Sequence, residues 1–125
     1  MEAERTLRIA IADGSPAFLT AAAHYISHLP GFTLAGTADT TLQAPALVSS
    51  AGPDILLLDL GKSAVRGLEM VKRVKSTPGA PAVVAMTLFH TPEAAAAASR
   101  AGADALVGKE SFISGLSQAL KRLFP

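Results

Sequence analysis

The chain contains no cysteine, so disulfides and thiolate metal sites are excluded. Aromatic residues are scarce at 5% while apolar residues make up 50%, so a core here is built from Ala, Leu, Val and Ile. Charge is thin as well: 17% of residues are Asp, Glu, Lys or Arg, with a net charge of +1. So small an imbalance supplies no general field to draw nucleic acid or an anionic membrane. No apolar run reaches membrane-spanning length. The start, Met1-Glu2-Ala3-Glu4-Arg5, is charged and has no apolar stretch of signal-peptide type behind it. These absences point to a soluble cytoplasmic protein. At 125 residues the chain has the size of one domain, read over 1–125.

Short β-rich runs alternate with helical patterns. Leu7 to Ala12 reads as a strand, followed by the turn Asp13-Gly14-Ser15-Pro16. Ser15 before Pro16 is a helix cap with Pro at the first helical position. Phe18, Ala22, Tyr25, Ile26 and Leu29 then recur at helical spacing until Pro30-Gly31. Phe32 to Thr37 reads as a second strand, and Thr40 or Thr41 caps a helix to about Ala51 whose start is blurred by Pro45. Ile55 to Leu58 is a continuous apolar run, the mark of a central parallel strand buried on both faces. A helix over Gly67 to Lys75 and a buried strand over Ala82 to Met86, ending at Thr87, come next. Thr91-Pro92-Glu93 opens an alanine-rich helix stopping near Gly102, and Ala103 to Val107 is a short fifth strand. Ser111 caps a last helix with Phe112, Ile113, Leu116, Leu120 and Leu123 inward. This βα alternation implies an α/β fold, an open, doubly wound five-stranded parallel sheet with helices on both faces.

In such a sheet, ligands collect outside the carboxyl ends of the strands. Those ends carry Asp13, Asp59, Thr87 and, after the fifth strand, Lys109. Two carboxylates suit a hard cation such as Mg²⁺. A carboxylate beside a cation and a lysine can attack phosphorus and become an aspartyl phosphate. Taken singly, Asp13 and Asp59 also read as turn or helix caps; their company decides between the readings.

The segments IADGSPAF, PDILLLDL, RGLEMVKRVK, VVAMT and AGADALVGKES, in this order and spacing, resemble the receiver domain of two-component response regulators. The resemblance covers nearly the whole chain and is strongest to receivers that precede a LuxR- or NarL-type helix-turn-helix. It implies a flavodoxin-like (βα)5 sheet of order 2-1-3-4-5. It implies a regulatory phosphoacceptor rather than an enzyme, with Asp59 taking a phosphoryl group from a sensor histidine kinase. Asp13, Asp59 and the main-chain carbonyl of Gly61 would hold Mg²⁺, Thr87 would be the switch hydroxyl and Lys109 the invariant lysine. Output would pass through the fourth helix, fifth strand and fifth helix, including Ala94 to Ala98 and Arg100. A homodimer is a possible partner state, and any DNA contact falls to a separate effector domain.

Three departures qualify that pattern. Gly14 stands where the family has a second acid, which predicts weak Mg²⁺ binding. Lys62 and Arg66 add positive charge after Asp59, and Leu106 occupies the usual aromatic switch position. The alternative is a degenerate receiver acting as an interaction module without phosphorylation. Basic clusters at Lys72-Arg73-Lys75 and Lys121-Arg122 read as solvated helix ends. His24 and His28 have metal-ligand spacing but no third ligand, and His90 reads as a surface-loop residue. A dinucleotide binder, a Walker-type nucleotide binder and a serine hydrolase lack their glycine-rich or nucleophile-elbow motifs.

Overall fold

A computed structural model describes residues 6–125. The charged stretch 1–5, read above as no signal peptide, lies outside the described residues. The strands are β1 (Leu7–Ala12), β2 (Phe32–Ala38), β3 (Ile55–Asp59), β4 (Ala82–Thr87) and β5 (Ala105–Gly108). The helices are α1 (Pro16–Ser27), α2 (Ala44–Ala51), α3 (Val65–Lys75), α4 (Pro92–Ala101) and α5 (Phe112–Leu123). All strand pairs are parallel, as the βα alternation implied, and the order is β2-β1-β3-β4-β5, as the resemblance implied. No helix of the described residues is long and apolar enough to cross a membrane.

Period-two alternation divides the core into two layers. Ile55 and Leu57 of β3 join Ile9, Ile11, Val84 and Met86 under α1 and α5, where Ile26, Leu116 and Leu120 meet them. Leu56 and Leu58 face the other way, with Val83 and Ala85, against Leu47, Val71, Val74 and Ala98 of α2, α3 and α4. The continuous apolar run of β3 is thus buried on both faces, because each face has its own helical cover.

The amino edge of this sheet is tied by polar groups. The Arg8 guanidinium donates to the carbonyls of Ala51 and Gly52, and the Asp54 carboxylate accepts from the Arg8 backbone. The Asp104 carboxylate accepts from Lys75 Nζ at 2.9 Å and from the Val83 N–H at 2.8 Å. Arg122 donates to the Asp104 carbonyl, which joins α5 to the same corner.

Several boundaries differ from the sequence reading. The fifth strand starts at Ala105 rather than Ala103. Ala103 instead donates its N–H to Ala98 O in the turn after α4, and Asp104 is taken up in the tie just described. Thr40 caps a short 3-10 turn, Thr41–Gln43, so α2 begins only at Ala44 with Pro45 in its first turn, where no N–H is needed. Ser111 occupies the cap position of α5, but its side chain makes no capping bond, because a 3-10 turn over Lys109–Ser111 already leads the chain into the helix. Ile113, expected inward, is 58% exposed. The buried stripe of α5 runs through Leu116, Ala119 and Leu120, and Ile113 lies off it.

The third helix starts at Val65, two residues before Gly67. Its cap position is Ala64, in a left-handed conformation at φ 64° with no side-chain cap, so Asp59 is not the cap of this helix. Gly67 is buried against the loop it follows. A Cβ there would lie 2.7 Å from the Leu60 carbonyl carbon and closer still to its Cα and O.

Candidate functional site

The strand order reverses between β1 and β3, and the carboxyl ends of these two strands carry Asp13 and Asp59. This reversal is the place where open α/β sheets bind ligands. Asp13 follows β1, held by its N–H to Ala38 O at 3.1 Å. Its Oδ1 accepts from the Ser15 N–H at 2.8 Å, and Ser15 Oγ in turn accepts from the Phe18 N–H. The bland reading of Asp13 as a turn residue is therefore true of one oxygen. The other, Oδ2, is buried and lies 2.7 Å from Lys109 Nζ, in an ion pair.

Asp59 is the last residue of β3, and its Oδ1 lies 3.2 Å from the same ammonium. Lys109, the first residue after β5, thus bridges the two carboxylates. The Lys109 side chain is 12% exposed and that of Asp59 is 15% exposed, while Asp13 is fully enclosed. The aspartate that opens to solvent is therefore Asp59. Burial raises the Asp13 carboxyl above its ordinary range; Lys109 and the Ser15 N–H pull the other way without cancelling it. The Asp59 carboxylate adds to the rise by repulsion.

Thr87 ends β4 and pairs with Gly108, immediately before Lys109. It shares the edge with the cluster, one position beyond the Met86 that pairs with Asp59, and its hydroxyl donates to Phe89 O at 3.4 Å. Gly61, two residues after Asp59, has φ 82°, a conformation that suits glycine, and a Cβ there would meet open space. Lys62 and Arg66 point to solvent and Leu106 is half-buried against the α2–α4 layer. The rings of His24 and His28 lie against each other at the carboxyl end of α1, centroids 4.5 Å apart and tilted by 44°, at the opposite end of that helix from the Asp13 turn.

Two residues that support the site carried other readings in the sequence, Thr41 as a helix-cap candidate and Phe18 as core. Phe18, read only as an apolar position of a helix, lies against Lys109. Thr41 Oγ1 donates to the backbone carbonyl of Asp59 at 2.6 Å and so fixes the strand end that presents the carboxylate. Thr41→Val removes that bond. A loss of about 1 kcal/mol is expected, measured by urea denaturation; an unchanged midpoint counts against a structural role for the bond.

The two carboxylates supply hard oxygen donors, Asp13 Oδ2 buried against the Lys109 ammonium and the Asp59 carboxylate partly open to solvent. The donor set fits Mg²⁺, with one acid fewer than the resemblance implies. A side chain at position 14 is not sterically barred: the nearest atom to a Cβ there is Asp39 O at 3.9 Å. Among the described residues no group of three or more His, Cys, Asp or Glu is arranged to hold a metal.

The family described as the response regulator receiver domain matches residues 9–121. The nitrate/nitrite response regulator protein NarL of Escherichia coli is 28% identical over 120 residues, spanning 96% of this chain and 56% of that protein. A two-component response regulator of the LuxR family from Aurantimonas sp. has the same fold, with a TM-score of 0.83 at 27% identity over 94% of this chain and 84% of that one. The signal receiver domain of the DNA binding response regulator merR from Colwellia psychrerythraea gives 0.79 at 25% identity, over 94% and 97% of the two chains. The chain spans about half the length of the curated relatives it matches. A family match across residues 9–121, in a chain that shares its fold with solved receivers, means that this chain belongs to the family of response regulator receiver domains.

Proposed function

We propose that this receiver takes a phosphoryl group onto Asp59 from a phosphohistidine of a sensor histidine kinase. The observation that carries the reading is the Lys109 ammonium set between Asp13 and Asp59, at 2.7 and 3.2 Å. An Asp59 oxygen attacks phosphorus, the phosphorus–nitrogen bond breaks, and its electron pair stays on the imidazole, which then takes a proton. Lys109 stands beside the attacking oxygen and neutralises charge gathering on the phosphoryl oxygens. Thr87, freed from its bond to Phe89 O, would donate its hydroxyl to one of them. Asp13, Asp59 and the Gly61 carbonyl would hold Mg²⁺, which supplies charge neutralisation when bound.

The output surface of this reading is α4, β5 and α5. Grooves of about 520 and 270 Å³ flank β5, and both are lined by His90, Ala105, Leu106 and Arg122. Leu106 replaces an aromatic switch there, so signalling through this face proceeds without an aromatic rotamer change. A homodimer and a separate DNA-binding effector are the partners this surface would serve.

The test is acetyl phosphate with Mg²⁺, followed by intact mass. One phosphoryl adduct is expected on the wild-type chain and none on Asp59→Asn. No adduct on either protein under saturating Mg²⁺ defeats the phosphoacceptor reading in favour of a phosphorylation-independent interaction module, which the missing acid at Gly14 favours. Gly14→Asp restores a carboxylate beside Asp13, and Mg²⁺ affinity is expected to rise about tenfold. Equal affinity by calorimetric titration would mean that a second acid is immaterial here.

A further inference from the structure

We propose that Phe18 is a positioning residue for Lys109, its ring face seating the ammonium between the two carboxylates. Lys109 Nζ lies 4.5 Å from the Phe18 ring centroid, with Asp13 Oδ2 and Asp59 Oδ1 as its charged neighbours. The Lys109 side chain is 12% exposed, so little of it meets solvent. The negative face of an aromatic ring replaces part of that hydration, and does so best where water is excluded. A four-carbon lysine stem has many rotamers, and a fixed ring beneath its head removes those that leave the site.

The ring is itself fixed from both ends. Its backbone N–H is bound by Ser15 Oγ, and the Ser15 N–H is bound by Asp13 Oδ1. The buried anion and the aromatic face on either side of the ammonium therefore belong to one capped turn at the start of α1. From α5, Phe112 meets the Phe18 ring edge-on at 5.2 Å and 80°. Phe112 also touches Tyr25 at 6.1 Å, which closes an aromatic group between α1 and α5. Aromatics are scarce in this chain, and three of its six are gathered behind this one lysine.

The functional part of this inference rests on the phosphoacceptor reading of Asp59; the seat itself does not. The experiment compares the rate of adduct formation from acetyl phosphate in the wild type, Phe18→Leu and Phe18→Tyr, by intact mass with Mg²⁺ present. Leu keeps an apolar side chain but no ring, and the rate is expected to fall about tenfold. Tyr keeps the ring face and is expected to stay within about twofold of the wild type. Equal rates for wild type and Leu, or equal slowing by Leu and Tyr, overturn the proposal, since filling space would then be the whole role. A second measurement needs no altered core. Ring-current displacement should move the Lys109 ε-methylene protons upfield in the wild-type carbon–proton spectrum, with the signal assigned by its loss in Lys109→Arg. An undisplaced signal overturns the seat even if Phe18→Leu fails to fold. If the wild type forms no adduct yet the displaced signal is present, it is the phosphoacceptor reading that has failed, and the seat stands.

Discussion

Lys109→Met should cost about 3 kcal/mol of folding stability near neutral pH and much less in mild acid. The reason is the enclosed carboxylate of Asp13. With Lys109 gone, the desolvation that already raises this carboxyl loses its main opponent, and only the Ser15 N–H remains to favour the charge. A carboxyl whose pKa is higher in the folded than in the unfolded state binds the extra proton when folded. Its favourable contribution is whole below the unfolded value, about 3.9, and is lost as pH rises through the folded value. Lys109→Met pushes that folded value further up. The gap in stability between variant and wild type should therefore widen as pH climbs from about 4 toward 7. Urea denaturation across this range reads it directly, and a gap that stays constant with pH would show that Asp13 does not depend on Lys109.

Gly67→Ala sets local propensity against packing. In an exposed helix, Ala is better than Gly by about 1 kcal/mol, so propensity alone forecasts stabilisation. Here the added methyl overlaps the Leu60 backbone, which cannot swing aside as a flexible side-chain end can. We expect the opposite sign, a loss of about 3 kcal/mol. The strain falls on the residue directly after Asp59, so the rate of acetyl phosphate modification should drop at least about tenfold as the carboxylate is displaced. A variant within about 0.5 kcal/mol of wild type by denaturation would mean that α3 slides away from the loop without cost.

What could be read from sequence was set by strong local signals. The run Ile55 to Leu58 and the segment Ala82 to Met86 are apolar beyond what a one-sided strand needs, so their central place in the sheet was legible. Asp13, Asp59 and Lys109 sit at strand ends, and parallel strands bring such ends to one edge whatever the side chains do. Features that depend on how two elements approach each other were not legible. Gly67 looks like an ordinary helix start until α3 is laid on Leu60. Phe18 looks like core because its helical spacing is that of core, and its contact with Lys109 crosses from α1 to the end of β5. Ile113 was placed inward because it is apolar, but the stripe of α5 that faces β5 is set by Leu116 and Leu120. The hydroxyl of Thr87 has a loop carbonyl within reach, a choice of partner that spacing along the chain does not encode.

The polar ties around Arg8 and Asp104 all lie where the strands begin, opposite the acidic edge. Amide protons near that rim should exchange with deuterated solvent slowly, and those toward the other end of the same strands sooner. If they do, the domain would have a stationary heel and a looser toe, and a change of charge at Asp59 would be felt by loops that move while the heel holds still.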